Sequence, residues 1–154
     1  FTYMALEGKW REGLQFMADA YSKVSSVRDG IESERNLQGF FMAYLNLNNY
    51  YYTAPELELN HGYCDFFLLP NLTHYATKHS YILELKVLSK KDYESKPEDG
   101  KLSKAEAQWQ EAEEQINRYA AAPRVEALRQ GTMHHKIIMQ FVAGKLVRME
   151  EVVC

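Results

Sequence analysis

What this sequence lacks narrows it first. Only two cysteines, Cys64 and Cys154, occur in 154 residues. One lies inside an apolar run and the other is the last residue, so no disulfide framework is expected. That usage favours a reducing, intracellular compartment, and a cytoplasmic location is the expectation. No apolar run approaches the ~20 residues that cross a bilayer, so no membrane association is expected. The first residues carry neither the basic start nor the apolar core of a secretory signal. Phe1 stands first rather than Met, and the expectation is a piece of a longer protein. There is no internal repeat, no low-complexity stretch and no glycine-rich phosphate loop, so this segment is not itself a P-loop ATPase. Nor does one sign of charge dominate, with 18 basic and 21 acidic residues and a net charge of −3. A nucleic-acid partner would therefore need a local positive groove, or metal ions, to offset phosphate charge.

What is present is the composition of an ordinary globular domain, 46% hydrophobic and 25% charged. Trp10, Leu14, Met17, Tyr21 and Val24 recur at three- and four-residue steps, the stripe of an amphipathic helix. Ser25-Ser26 and Asp29-Gly30 punctuate its end. A second helix follows, with Asp29 and Glu32 as its capping residues and Leu37, Phe40, Phe41, Tyr44 and Leu45 as its apolar positions. From Tyr50 the pattern changes to strands. Tyr50 to Thr53 is rich in β-formers, Pro55 interrupts, and Leu57 and Leu59 alternate with Glu56 and Glu58. Asn60-His61-Gly62 signals a turn. Tyr63 to Leu69 and Tyr81 to Leu88 are nearly continuous apolar strands, the second with the two-sided apolar pattern of a central strand. Ser89 to Leu102 is read as a loop with a weak basic bias, Lys104 included, and as a solvated segment in preference to a mobile flap over the site. Ser103 and Glu106 form a capping box for a helix carrying Ala105, Trp109, Ala112, Ile116 and Tyr119. Pro123 closes it, with a further turn or two over Val125 to Arg129. Lys136 to Val142 and Leu146 to Val152 are strands joined as a hairpin through Ala143-Gly144-Lys145. The order is α-α-β-β-β-α-β-β, one mixed α/β domain with an N-terminal helix over residues 1–30 and a core over 31–154.

Three charges sit where apolar residues belong. Period-2 geometry puts Ile82, Glu84, Lys86 and Leu88 on one strand face. Burying an acid and a base there is costly unless they are paired or used. Asp65, 19 positions upstream of Glu84, is likewise the only charge of its run. Two neighbouring strands can thus converge Asp65, Glu84 and Lys86 on one spot. Two carboxylates with a backbone carbonyl between them suit a hard, partly hydrated divalent cation such as magnesium. A lysine there suits an attacking water, or charge developing on a phosphoryl oxygen. The plainer alternative is a Glu–Lys pair at a solvent-facing strand end. Glu34, one turn before Leu37 and Gln38, points along the buried stripe of its helix, an unusual place for a lone carboxylate.

Asp65 followed by Glu84-Leu85-Lys86 resembles the PD-(D/E)XK nuclease superfamily. Glu34 matches the acidic residue of that superfamily's first core helix. Gln115 and Tyr119 match a Gln-x-x-x-Tyr pattern found in part of it. Glu58-Leu-Asn-His-Gly62-Tyr-Cys-Asp65 is similar to the Glu…Gly-x-x-Asp approach of one group, in which the domain often follows an AAA-type ATPase domain in bacterial proteins. Cys64 stands where many members have proline. The resemblance covers roughly Glu34 to Val152. It implies a restriction-endonuclease-like mixed sheet flanked by helices. It implies that Asp65, Glu84, the Leu85 carbonyl and Glu34 hold Mg2+, with Mn2+ able to substitute, while Lys86 orients the hydrolytic water. Gln115 and Tyr119, an i,i+4 pair, would steady Lys86 or contact a phosphate. The implied substrate is nucleic acid, foremost DNA, and the implied partner is an AAA-type ATPase domain of the same chain. Many nucleases of this fold form homodimers to cut two strands, and oligomeric state is left open.

Other readings stand beside it. The fold can serve as a non-catalytic accessory domain that binds nucleic acid or an ATPase domain, or Glu-x-Lys can be a coincidence in an unrelated α/β domain. Gln115 and Tyr119 fit the rim of a packed helix as readily as a site. Glu58 reads as structural, and Tyr50, Tyr51 and Tyr52 as strand formers rather than base-stacking residues. His134 and His135 point to opposite strand faces and so do not form a joint metal site. His61, His74 and His79 are expected in solvent-facing turns or loops.

Overall fold

The strand-forming runs assemble into one five-stranded sheet in the computed structural model. It describes the chain except residues 28–33, 60–61 and 154, and gives the backbone alone for 26–27, 34, 56–59 and 62–64. The strands are β1 (Tyr51–Leu59), β2 (Gly62–Pro70), β3 (His79–Leu88), β4 (Met133–Val142) and β5 (Lys145–Glu151), in the spatial order β1-β2-β3-β4-β5. Neighbours are antiparallel except β3 and β4, which run parallel and are joined by a helical crossover. The helices are α1 (Thr2–Glu7), α2 (Arg11–Val27), α3 (Glu34–Leu45), α4 (Lys90–Glu94), α5 (Lys104–Ala120) and α6 (Pro123–Leu128). Among the described residues no helix is long and apolar enough to cross a membrane.

Alternation along β3 divides the molecule into two cores. Tyr81, Leu83 and Leu85 face α1, α2 and α3 and pack with Leu14, Met17, Leu37 and Phe41. Ile82, with Phe67 and Ile138, faces α5 and α6, meeting Trp109, Ala112, Ile116 and Val125. The result is a helix–sheet–helix sandwich in which β3 is covered on both sides. The helical stripe read from Trp10 to Tyr21 is buried, whereas Val24 is exposed. Ser103 caps α5, its hydroxyl accepting the Glu106 N–H at 3.1 Å.

The structure departs from the sequence reading in several places. Pro55 does not interrupt β1, because β1 is an edge strand and can present the missing N–H on its open side. The stretch read as a loop contains α4, where Ser89 accepts the Asp92 N–H and Lys104 bridges to Asp92 at 2.9 Å. Five residues are too few to show a period, so this helix is visible only through its hydrogen bonds and ion pair. The same holds for α1, anchored by Tyr81 Oη donating to the Met4 carbonyl and by the Lys78 N–H donating to that of Ala5. The Asp29 and Glu32 capping assignments and the Asn60-His61 turn lie outside the described residues.

His79 is a correction of a different kind. It opens β3, half-buried, with Nδ1 2.8 Å from His135 Nε2. His135 Nδ1 lies 2.9 Å from Glu151, and Trp10 donates to the other Glu151 oxygen. A polar chain thus ties β3, β4 and β5 to the start of α2. His134 and His135 do point to opposite faces, one stacked on Phe67 and the other on Tyr81. Burial, with Arg129, His135 and Lys136 nearby, lowers the His134 pKa to about 4.

Two predictions follow from these contacts. Since the unfolded His134 titrates near 6.5, its neutral form contributes fully above that pH. Stability should fall by on the order of 3 kcal/mol as pH drops to about 4, and this histidine costs nothing further below. Urea denaturation across that range should show a shallower fall in His134→Asn. The β4–β5 turn holds Ala143 and Gly144 at positive φ, the primed geometry that matches strand twist. A Cβ on Gly144 would meet the Ser25 hydroxyl and lie 2.9 Å from its Cβ, whereas one on Gly100, also at positive φ, meets nothing. Gly144→Ala should therefore cost more than the ~1–2 kcal/mol of left-handed strain expected for Gly100→Ala. Equal losses of urea midpoint would mean that the Ser25 contact contributes nothing.

Candidate active site at the parting of two strands

The β2–β3 ladder pairs Leu68 with Tyr81, Phe67 with Ile82 and Phe66 with Leu83. Asp65 and Glu84 are the next residues on each strand, and there side chains take over the backbone's bonding. Glu84 Oε1 accepts the Asp65 N–H at 3.0 Å, and Asp65 Oδ2 accepts the Leu85 N–H at 2.7 Å. Buried amide donors need acceptors, and where the strands part these carboxylates supply them. The pairing also brings the two acids together from positions 19 apart in sequence.

Helices from both faces hold this point. From α3, Gln38 Nε2 donates to Asp65 Oδ1 at 2.8 Å. From α5, Gln115 Oε1 accepts a hydrogen bond from Lys86 Nζ at 3.0 Å. Lys86 Nζ is 3.9 Å from Glu84 Oε2, a separation for charge attraction rather than a hydrogen bond. Glu84 is only 2% exposed, whereas the Lys86 side chain is 21% exposed and reaches the site's open side. Deeper on the same face, buried Gln140 donates to Gln108 and to the Ala105 carbonyl, and Gln108 donates to the Val87 carbonyl. These glutamines fasten α5 to the ends of β3 and β4.

Asp65, Glu84, Leu85, Lys86 and Gln115 are thus brought together. Tyr119 is buried in the core beneath α5, one turn beyond Gln115. The α3 helix begins at Glu34, whose side chain lies outside the described residues, as does that of Glu58. Gln38 was not singled out from the sequence. Its signal is its place one helical turn after Glu34, on the flank of the buried stripe. The donor set consists of two carboxylates and the Leu85 carbonyl, all hard oxygens. Hard oxygens of this kind suit a magnesium-type cation that keeps several waters. Among the described residues no three His, Cys, Asp or Glu side chains cluster as metal ligands.

A double-mutant cycle with Gln38→Ala and Asp65→Ala should return a coupling of about 1–2 kcal/mol in urea denaturation, the range for a hydrogen bond to a charged group. Additive losses would mean that Gln38 does not hold the carboxylate.

No curated protein and no solved structure matches the chain. A family model described as the PD-(D/E)XK nuclease superfamily matches residues 32–151, a span from the start of α3 to the end of β5 that includes every residue of the strand fork. With that match over most of its length, on a mixed sheet flanked by helices, the chain belongs to the PD-(D/E)XK nuclease superfamily.

Proposed function

We propose that this domain is a metal-dependent nuclease that hydrolyses phosphodiester bonds in DNA, with Mg2+ held by Asp65, Glu84 and the Leu85 carbonyl, and by Glu34 directly or through water. The observation that carries the reading is the fork itself. It sets two carboxylates side by side, each accepting a backbone N–H, next to a lysine that is hydrogen-bonded to Gln115 and within ion-pair range of Glu84. Lys86 lies 3.9 Å from Glu84 Oε2 while its hydrogen bond goes to Gln115, so one ammonium serves both the acid and the open side of the site.

In this reading Lys86 holds the attacking water by a hydrogen bond and favours its hydroxide form. Gln115 is a positioning residue, turning the lysine toward the substrate side without neutralising it. The bound cation would lower the water's pKa and offset charge on the phosphoryl oxygens. Water adds to phosphorus, the P–O bond to one sugar breaks, and the products are a phosphate monoester and a free hydroxyl. Gln38 keeps Asp65 from swinging away, and Tyr119 anchors the helix that carries Gln115. The partners named by this reading are DNA and an AAA-type ATPase domain of the same chain, and a second copy would let the domain cut both strands. The alternative is an accessory domain that binds without cutting. It is favoured by the fact that at least three of the four carboxylate oxygens at the fork already accept protein hydrogen bonds.

The deciding experiment titrates Mg2+ and Mn2+ into wild type and Glu84→Ala with plasmid and single-stranded DNA as substrates. Cleavage should require metal and vanish in Glu84→Ala. Lys86→Met should lose roughly 10²–10⁴-fold in rate, the range for a positioned proton-transfer group. Metal should also raise the melting temperature of wild type and not of Asp65→Ala, because binding to the folded state alone is stabilising. Metal binding without cleavage would establish the accessory reading. No metal binding would remove both carboxylates from the metal role.

A further inference from the structure

Beside the fork a groove of about 270 Å³ runs between α3 and the open edge of the sheet. Its α3 side is made by Arg35, Gln38, Gly39 and Met42, and its sheet side by Pro55 and Phe66, with Asp65 itself in the lining. The groove is therefore continuous with the proposed phosphodiester site. Gly39 leaves it open, since a Cβ at that position would meet nothing within 4 Å. Arg35, one helical turn before Gly39 and exposed, adds a cation to a lining whose apolar part is Met42, Pro55 and Phe66 and whose polar part is Gln38 and Asp65.

We infer that this groove receives one unpaired nucleoside of the substrate strand, next to the phosphate presented to Asp65, and so selects single-stranded or frayed DNA. The inference rests on the nuclease-fold site proposed above. A cleft with an apolar wall of Met42, Pro55 and Phe66, a glutamine and an arginine matches the chemistry of an unstacked nucleoside, whose base seeks an apolar surface and hydrogen bonds while its phosphate seeks a guanidinium. Its volume of about 270 Å³ is on the scale of one nucleoside. Charge points the same way, since the net charge of −3 offers no general attraction for a polyanion and leaves local cations such as Arg35 and Lys86 to supply it.

The test reads binding rather than turnover, so it does not depend on whether the domain cuts. Fluorescence anisotropy would follow fluorescein-labelled oligo(dT), alone and annealed to oligo(dA), with calcium in place of magnesium. Wild type should bind the single strand more tightly than the duplex. Gly39→Trp, which fills the groove from an exposed helix position, should weaken single-strand binding about tenfold or more, the scale of one lost base contact. Arg35→Ala should weaken it with a smaller dependence on salt. Thermal melting would verify that Gly39→Trp folds, as the loss of a mid-helix glycine favours. Single-strand affinity unchanged in the folded Gly39→Trp protein, duplex bound as tightly as single strand, or no binding by wild type would each overturn the inference. Single-strand binding lost in Gly39→Trp, in a protein that never cleaves, would uphold the groove while the catalytic reading fails.

Discussion

Everything at the site depends on how β2 and β3 part. Inside a sheet, each amide finds its acceptor on the neighbouring strand, and a strand that ends its pairing early must find acceptors elsewhere. Here the Asp65 and Leu85 amides find them in the carboxylates of Glu84 and Asp65. Two acids are held beside each other in a half-buried place because each accepts a backbone N–H, so the repulsion between them is offset by hydrogen bonds to charge. The strand above the fork must be rigid for this to work. β3 meets that need as the central strand, paired on both sides and covered by a core on each face.

Neutral side chains do the positioning around those charges. Gln38 comes from the helical layer on one face of the sheet and Gln115 from the layer on the other, so the fork is gripped from both. A lysine or arginine in either place would neutralise an acid, and an acid in place of Gln115 would neutralise Lys86. Glutamine supplies a donor or an acceptor without changing the charge balance. The phase of α5 is set by its Ser103 cap and by Trp109, Ala112 and Ile116 in the core, and this phase brings Gln108 and Gln115 onto the strand ends. Core packing and site geometry are the same constraint seen from two sides of one helix.

The opposite end of β3 has a different task. The chain from His79 through His135 and Glu151 to Trp10 joins three strands to the N-terminal helices. Its groups point one to the next, and none lies at the fork. The parallel pairing of β3 with β4 runs unbroken from His79–Met133 to Leu88–Val142, holding both ends of the strand in register. One strand therefore carries a structural tie at its start and the charges of the fork toward its end.

Much of this was legible in the sequence, because apolar periodicity records burial directly. The two-sided apolar pattern of Tyr81 to Leu88 identified the central strand, and Asp65, Glu84 and Lys86 stood out as charges where the solvation cost is high. The order of the longer elements and the α5 capping box were readable for the same reason. Tertiary structure alone decided what depends on contacts between distant residues. It formed α1 and α4, which are too short to have a period, and carried β1 through Pro55 because that strand lies at an edge. It brought His79 onto His135, and it chose Gln38 as the residue that holds the acid, whereas Gln115 is marked in the sequence by its spacing to Tyr119. Gln38, at the border of a helical stripe, has no distinctive pattern of its own. Its role is set by which strand the helix lands on, and that is determined by packing rather than by any local run of residues.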